Sequence, residues 1–470
     1  MYDHTNQYRC DIIRGKSQSD MDDLLPAYAK IIDEICPCSS DIFKSSFNTK
    51  IKEFLTGTPK EKTLNNHRTE IAGKLFGMYY SESDGLIYAS DRTKKFIADS
   101  DTPAFFKDIC YKMQFPNGTQ KIQTIKQRID DGISIRQNSF VLKVMLIAKN
   151  VSITLTKKEI AYYILNSYDV LSGNASPYEV FEAITKDRQD NTIREITIPG
   201  KESSYCYQHT NEQINLLELA NLVRIDGAEV ILNLGEQKAI EIIAKDYKSK
   251  PAFDLWDFDL STVEGHKKLS FEWNKYFAVL SDEAVNFGTT IEALGIEEEK
   301  SSAEESTQPT SDTGTLTTVE IGDEGERYVY EYEKKRVTEF NFRLAGKVLH
   351  LGKTRGLGYD IQSVVAKPGP NPDFVKYIEV KATKRVTAPK FDDTKWIDTL
   401  NITRNEWVAA QQHKESYSIF RVYFIRGQVV MFVISDIAGK NNNGVVTVEA
   451  LNYRMDFGNK AVDEVITVAV

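Results

Sequence analysis

EEEKSSAEESTQPTSDTGTLTT, from Glu297 to Thr318, is the stretch that most limits how this 470-residue chain can fold. It is rich in Glu, Ser and Thr and nearly devoid of large apolar side chains, so it cannot bury a core and reads as a flexible tether. The flanking chain is then expected to form separate bodies, Met1 to Thr290 and Val319 to Val470, free to reorient about it. The tether also disguises the charge balance. Residues 292–324 hold 1 basic and 10 acidic side chains, a surplus equal to the whole net charge of −9. Elsewhere the charge is polarised: residues 44–149 hold 18 basic and 11 acidic groups, and residues 325–470 hold 22 and 17. A polyanionic partner is therefore compatible with the acidic total.

At roughly 100 to 200 residues per domain, the length suggests about three domains. A 41 % hydrophobic content leaves ample material for their cores. The most apolar run, FVLKVMLIA (Phe140 to Ala148), contains Lys143 and is far shorter than the roughly 20 residues that span a bilayer, so it reads as a buried helix. Five cysteines and no charged-then-apolar leader point to a cytoplasmic protein without a membrane partner. Cys36 and Cys38 lack a second pair at zinc-ligand spacing, and His67, His209 and His413 are scattered, which suits structural duty. There is no Walker loop or GxGxxG, so no nucleotide cofactor is expected.

In the first body, RTEIAGKLFGMY (Arg68 to Tyr79) patterns as an amphipathic helix, and Ser-Asp-Gly in the following YYSESDGLIYAS signals a hairpin. Helix followed by hairpin suggests a winged helix. The pattern recurs: Thr156 with Glu159 and Ser176 before Pro177 mark helix starts, and INLLELANLVRIDGAEVILNL gives a second helix and an Asp-Gly hairpin. The expected organisation is a basic winged-helix-like recognition region at 1–149, a second such region at 150–291, an acidic linker at 292–318 and a further domain at 319–470. Duplex DNA is the expected partner of the basic region. Its candidate contacts are Arg68, Lys74, Arg92, Lys94, Lys95, Lys112, Gln114, Asn117, Lys121, Lys126 and Arg128, where cations can hold phosphates and amides can read base edges. The same letters also suit solvated charges on ordinary helices.

The second body contains YIEVKAT (Tyr377 to Thr383), a short strand pattern with a carboxylate and an ammonium two residues apart. Side chains two apart on a strand share a face, so Glu379 and Lys381 point together. Phe374, Ile378, Val380 and Ala382 have the opposite parity and are expected in a core. Upstream, GKTRGLGYDIQSVVA brings Asp360 to a neighbouring strand across the turn marked by KPGPNPD. Two carboxylates brought together repel unless a cation stands between them. A hard divalent ion such as Mg²⁺ suits a site of Asp360, Glu379 and the Val380 carbonyl, with Lys381 placed to orient a water and balance phosphate charge. Thr403 in LNITRNEW reads as a helix cap with Glu406 completing a capping box, which needs no chemistry to explain it.

These residues resemble the PD-(D/E)XK nuclease signature, with Asp360 as the first acid, Glu379-Val380-Lys381 as the second element and Tyr359 where the signature often has Pro. The wider run of GDEGERYVY, GLGYDI, YIEVKAT and LNITRNEWVAAQQHKESYSIFRVYFI is similar to the C-terminal nuclease-like domain named after the NO VEIN protein, over Val319 to Val470. The resemblance implies a restriction-endonuclease-like α/β fold behind an α-rich first body. It also implies phosphodiester hydrolysis leaving 5′-phosphate and 3′-hydroxyl ends, with Glu326 as the helix acid that assists a second metal. The first body offers a looser analogy to restriction enzymes that separate an N-terminal recognition module from a cleavage domain. The resulting expectation is a sequence-specific, Mg²⁺-dependent DNA endonuclease that dimerises at least transiently to cut both strands. A modification-dependent nuclease and a non-catalytic DNA binder with a nuclease-like assembly domain stay open as alternatives.

Overall fold

The computed structural model describes residues 2–13, 15–55, 57–198, 202–248, 251–296, 319–352, 356–449 and 454–469. The first body is mainly helical. Helix α1 (Gln18–Ile35) starts at Ser17, whose hydroxyl accepts the Asp20 amide, and buries Leu25, Tyr28 and Ile32 at helical spacing. After it come β1 (Cys38–Ser39), a helix over Glu61–Asn65 that widens into a π-type helix over Asn66–Leu75, and the hairpin of β2 (Tyr79–Ser81) and β3 (Leu86–Ala89). The helix thus starts and ends earlier than its apolar pattern suggests. The small sheet has the order β1-β3-β2.

Helix α2 (Thr102–Lys112) and helix α3 (Gln137–Asn150) follow, and α3 contains the apolar run, buried as expected. Reciprocal capping boxes form at Thr156 with Glu159 and at Ser176 with Glu179, and Pro177 opens its helix. Strand β4 (Leu155–Thr156), helix α4 (Glu202–Leu219) and the hairpin of β5 (Val223–Asp226) and β6 (Glu229–Leu232) make the second helix-and-hairpin unit, in the order β4-β6-β5. Gly227 supplies the positive φ of 57° that this hairpin turn requires.

The second body is α/β. Helix α5 (Val319–Phe340) precedes β7 (Leu349–His350), β8 (Ile361–Val364), β9 (Val375–Lys384), β10 (Asp398–Asn401) and helix α6 (Arg404–His413). Strands β11 (Tyr417–Ile425), β12 (Gln428–Ser435), β13 (Val446–Glu449), β14 (Arg454–Phe457) and β15 (Glu464–Ala469) complete it. A six-stranded sheet has the order β15-β12-β11-β9-β8-β7, with β9 and β11 parallel. One face packs Ile378, Val380 and Phe420 beneath Val329 and Val337 of α5. The other packs Tyr417 and Ile419 beneath Trp407 and Ala410 of α6. Phe374 departs from its expected core position: it precedes the strand and is 58 % exposed.

The two bodies are docked, which corrects the expectation of free reorientation. At the end of β9, Lys384 N–H and Thr383 Oγ1 donate to the Ser100 carbonyl at 3.2 and 2.8 Å. Arg385 Nη2 lies 2.7 Å from Asp23 Oδ1, Thr387 N–H donates to Asp22 Oδ2 at 3.0 Å, and Lys390 pairs with Asp20. At the β11–β12 turn, Arg426 donates to Glu218 Oε1 and Asn221 Oδ1 at 3.1 and 2.9 Å. Opposite charges concentrated on the two surfaces supply the attraction that linker composition cannot reveal. The linker also begins later than its charge suggests, because Leu294 and Ile296 are buried in the core beneath α5, while 297–318 lie outside the described residues. Among the described residues no helix is long and apolar enough to cross a membrane.

Candidate active site

Asp360 directly precedes Ile361, which pairs with Ile378 across the β8–β9 hairpin, so the acid arrives beside Glu379. Two bonds fix it there: Asp360 N–H donates to the Ile378 carbonyl at 2.9 Å, and its Oδ2 accepts the Val380 N–H at 2.8 Å. The turn before it relies on glycine. Gly358 has φ +74°, and a Cβ there would stand 2.4 Å from the Asn405 carbonyl oxygen of α6. Tyr417 Oη donates to the Gly358 carbonyl at 3.0 Å from below.

Glu379 is 4 % exposed, and its Oε1 lies 2.8 Å from Lys381 Nζ. The same ammonium lies 2.9 Å from Glu406 Oε2, a contact with a residue whose capping role alone explained it in the sequence. Nothing local to LNITRNEW shows that α6 lies over β9. Glu326 stands about two turns inside α5, which starts at Val319. Its Oε2 lies 2.8 Å from His350 Nε2, and a Cβ on Gly352 would meet that same oxygen at 1.9 Å. His350 is absent from the sequence reading altogether; its strand pairing with Ile361, next to Asp360, is what brings it in.

The electrostatics follow from burial and crowding. Burial, then the charge of Glu326, pushes the Asp360 carboxyl up to about 6. Burial, then the charges of Asp360 and Glu406, raises Glu379 well above the usual carboxylate range against the pull of Lys381. Burial works against the Lys381 ammonium, yet Glu379 and Glu406 hold its pKa above the ordinary value. Three buried or half-buried acids thus face one lysine. Among the described residues no three His, Cys, Asp or Glu side chains by themselves form a ready metal site. The donor set nonetheless fits a hard divalent ion: Asp360 and Glu379 offer carboxylate oxygens, the Val380 carbonyl is adjacent, and a cation relieves the repulsion that raises both acids.

One pH effect follows directly. Folded Asp360 holds its proton to about 6, against an ordinary value of 3.8, so metal-free stability falls as pH rises from about 4 through 6. Asp360→Asn can still accept the Val380 N–H, and it is expected to be more stable than the parent at pH 8 by up to about 3 kcal/mol. At pH 4 the difference should vanish, as thermal melts in chelator would record.

The candidate DNA contacts divide in two. Arg92 is internal: Nε and Nη2 donate to Asp108 Oδ2 at 2.9 and 2.8 Å, and Nη1 donates to the Phe76 carbonyl at 2.7 Å. Lys112 is buried and donates to the Tyr276 and Val279 carbonyls, and burial pushes its ammonium down to about 7. Gln114 bonds the Phe253 backbone, Asn117 bonds the Gln114 carbonyl, and Arg128 pairs with Asp11 at 3.0 Å while covering the Phe115 ring. These five are buried and satisfy internal groups in this conformation. Arg68 bonds Asn65, Lys74 pairs with Glu70 and Lys95 with Asp99, all at half-buried positions. Lys94, Lys121 and Lys126 are exposed.

Comparison with known proteins divides the chain at the same place. The family described as Protein NO VEIN, C-terminal matches residues 325–434, a span holding Glu326, His350, Asp360, Glu379, Lys381 and Glu406. Among solved structures, the BpuJ1 endonuclease binding domain in complex with pyrene- and phenanthrene-modified DNA is 48 % identical. The match covers 59 % of this chain and 100 % of that one, with a TM-score of 0.57. No curated protein matches. The family described as Restriction endonuclease BpuJI, N terminal, matches residues 2–274, and by that match over more than half its length the chain belongs to this restriction-endonuclease family.

Proposed function

We propose that the protein is a cytoplasmic restriction endonuclease in which the first body recognises duplex DNA and the second hydrolyses a phosphodiester bond with Mg²⁺. The observation that carries the reading is that Asp360, Glu379 and Lys381 lie together, in the spacing of a PD-(D/E)XK site. The DNA-bound relative supports recognition by the first body, whose two helix-and-hairpin units then act as winged helices.

Asp360, Glu379 and the Val380 carbonyl would hold Mg²⁺. Bound there, the ion supplies positive charge to the scissile phosphate and lowers the pKa of the attacking water. Lys381 orients that water and balances the charge that builds on the phosphorus oxygens. Attack on phosphorus expels the 3′-oxygen, leaving 5′-phosphate and 3′-hydroxyl ends. Glu326, fixed by His350, adds an acid at the edge of the cleft. One such site per chain and two strands per duplex call for transient pairing of two chains.

The test is digestion of plain, methylated and hydroxymethylated DNA with Mg²⁺ or with chelator. Mg²⁺-dependent cuts at fixed places are expected. DNA retention in a gel-shift assay with no cutting of any substrate would sink the enzymatic reading and leave a binder. The exposed cations give a separate outcome: Lys121→Gln and Lys126→Gln should each weaken binding across all sequences and lower the salt slope by about 1.

A further inference from the structure

We infer that Glu406 is a positioning residue for the proposed hydrolysis: its carboxylate keeps the Lys381 ammonium at the cleft once Glu379 turns to a divalent cation. This role rests on the reading of the cleft given above and extends it to a helix that supplies no ligand.

Lys381 Nζ is shared between Glu379 Oε1 at 2.8 Å and Glu406 Oε2 at 2.9 Å. Recruiting Glu379 to a cation takes away one of those two holds. A long, flexible amine then needs another anchor to stay near the phosphate. Glu406 is well placed to provide it, because its own carboxylate is immobilised. Its Oε2 accepts the Thr403 N–H at 3.0 Å, and its backbone N–H donates to Thr403 Oγ1, the two halves of a capping box. The helix that carries it is registered against the turn of Asp360, where only glycine at 358 leaves room for the Asn405 carbonyl. One element therefore sets the lysine and the first acid relative to each other.

Glu406→Gln separates this role from the cap. Glutamine serves at the third position of a capping box as glutamate does, so folding is retained while the anionic hold on Lys381 is lost. At saturating Mg²⁺, kcat should fall about 10- to 100-fold, the size typical of losing a partner that orients a metal-site group. KM for DNA, melting temperature and the Ca²⁺-induced rise in melting temperature should stay at parent values. Thr403→Ala is the converse control: it loses the Oγ1 half of the cap but keeps the carboxylate and the Thr403 N–H that holds it, so melting temperature drops while kcat falls far less than in Glu406→Gln. A parent-like kcat in Glu406→Gln overturns the role. Loss of the Ca²⁺ effect, as in Glu379→Gln, also overturns it by making Glu406 a ligand. If the parent never cuts with Mg²⁺, the hydrolytic reading falls and this role with it, whereas an active parent beside an equally active Glu406→Gln condemns this role alone.

Discussion

Glu379→Ala and Lys381→Ala are each expected to lower Mg²⁺-dependent cutting by at least about 10²-fold, and Glu379→Ala by more, with DNA binding unchanged. Removing one pre-arranged charge-stabilising group from a dry site costs about 10² to 10³ in rate, and loss of a metal-binding acid adds the loss of the ion itself. Binding should survive because it is assigned to the other body, whose core is separate from the two cores flanking β9. The metal-free variants should also differ in stability. Lys381→Ala strands Glu379 and Glu406 without their shared cation, so its melting temperature should drop. Glu379→Ala removes the acid whose pKa burial raises most clearly and leaves Lys381 paired with Glu406, so it should melt closer to the parent. Nicking of supercoiled plasmid, gel shifts and melts in chelator read all three. Cutting within tenfold of the parent by either variant would contradict the assignment.

The second large effect lies at the joint between the bodies. Arg385 is 6 % exposed and faces Asp22, which is 1 % exposed, and Asp23. Burial raises both acids above the ordinary carboxylate range, and Arg385 is the cation that opposes it. Arg385→Met keeps most of the volume but leaves buried Asp22 without a cation and half-buried Asp23 with only Lys390 at 3.9 Å, which should destabilise by about 3 kcal/mol. The pH dependence has a definite sign. An acid whose folded pKa is raised stabilises below its unfolded pKa and loses that contribution as pH climbs through the folded value. Without the guanidinium the two acids rise further, so the deficit of Arg385→Met should be larger at pH 8 than at pH 5. Melts at the two pH values, with limited proteolysis near the joint, would detect it; equal deficits at both would contradict the ion-pair account.

What the sequence revealed depended on range. Strand alternation placed Ile378 and Val380 in the core and Glu379 with Lys381 on the other face, because those side chains obey a two-residue period set by the backbone. Hairpins at Asp84-Gly85 and Asp226-Gly227 and the boxes at Thr156, Ser176 and Thr403 were equally local. Glu406 and His350 were not, since they reach the cleft through the packing of α6 over β9 and the pairing of β7 with β8. The burial of Arg92, Lys112 and Arg128 was hidden for the matching reason. Their bonds to Asp108, the Tyr276 carbonyl and Asp11 join segments whose proximity no local pattern reports.

The run of β9 has a practical consequence for exchanging specificities. Arg385 lies four positions after Lys381, about 13 Å of extended chain, so the joint with the recognition body begins almost at the chemistry. A chimera spliced within residues 297–318 would carry over the cleavage half without the surface that grips it. To behave as one enzyme, a new recognition half must bring its own counterparts of Asp22, Asp23 and the Ser100 carbonyl.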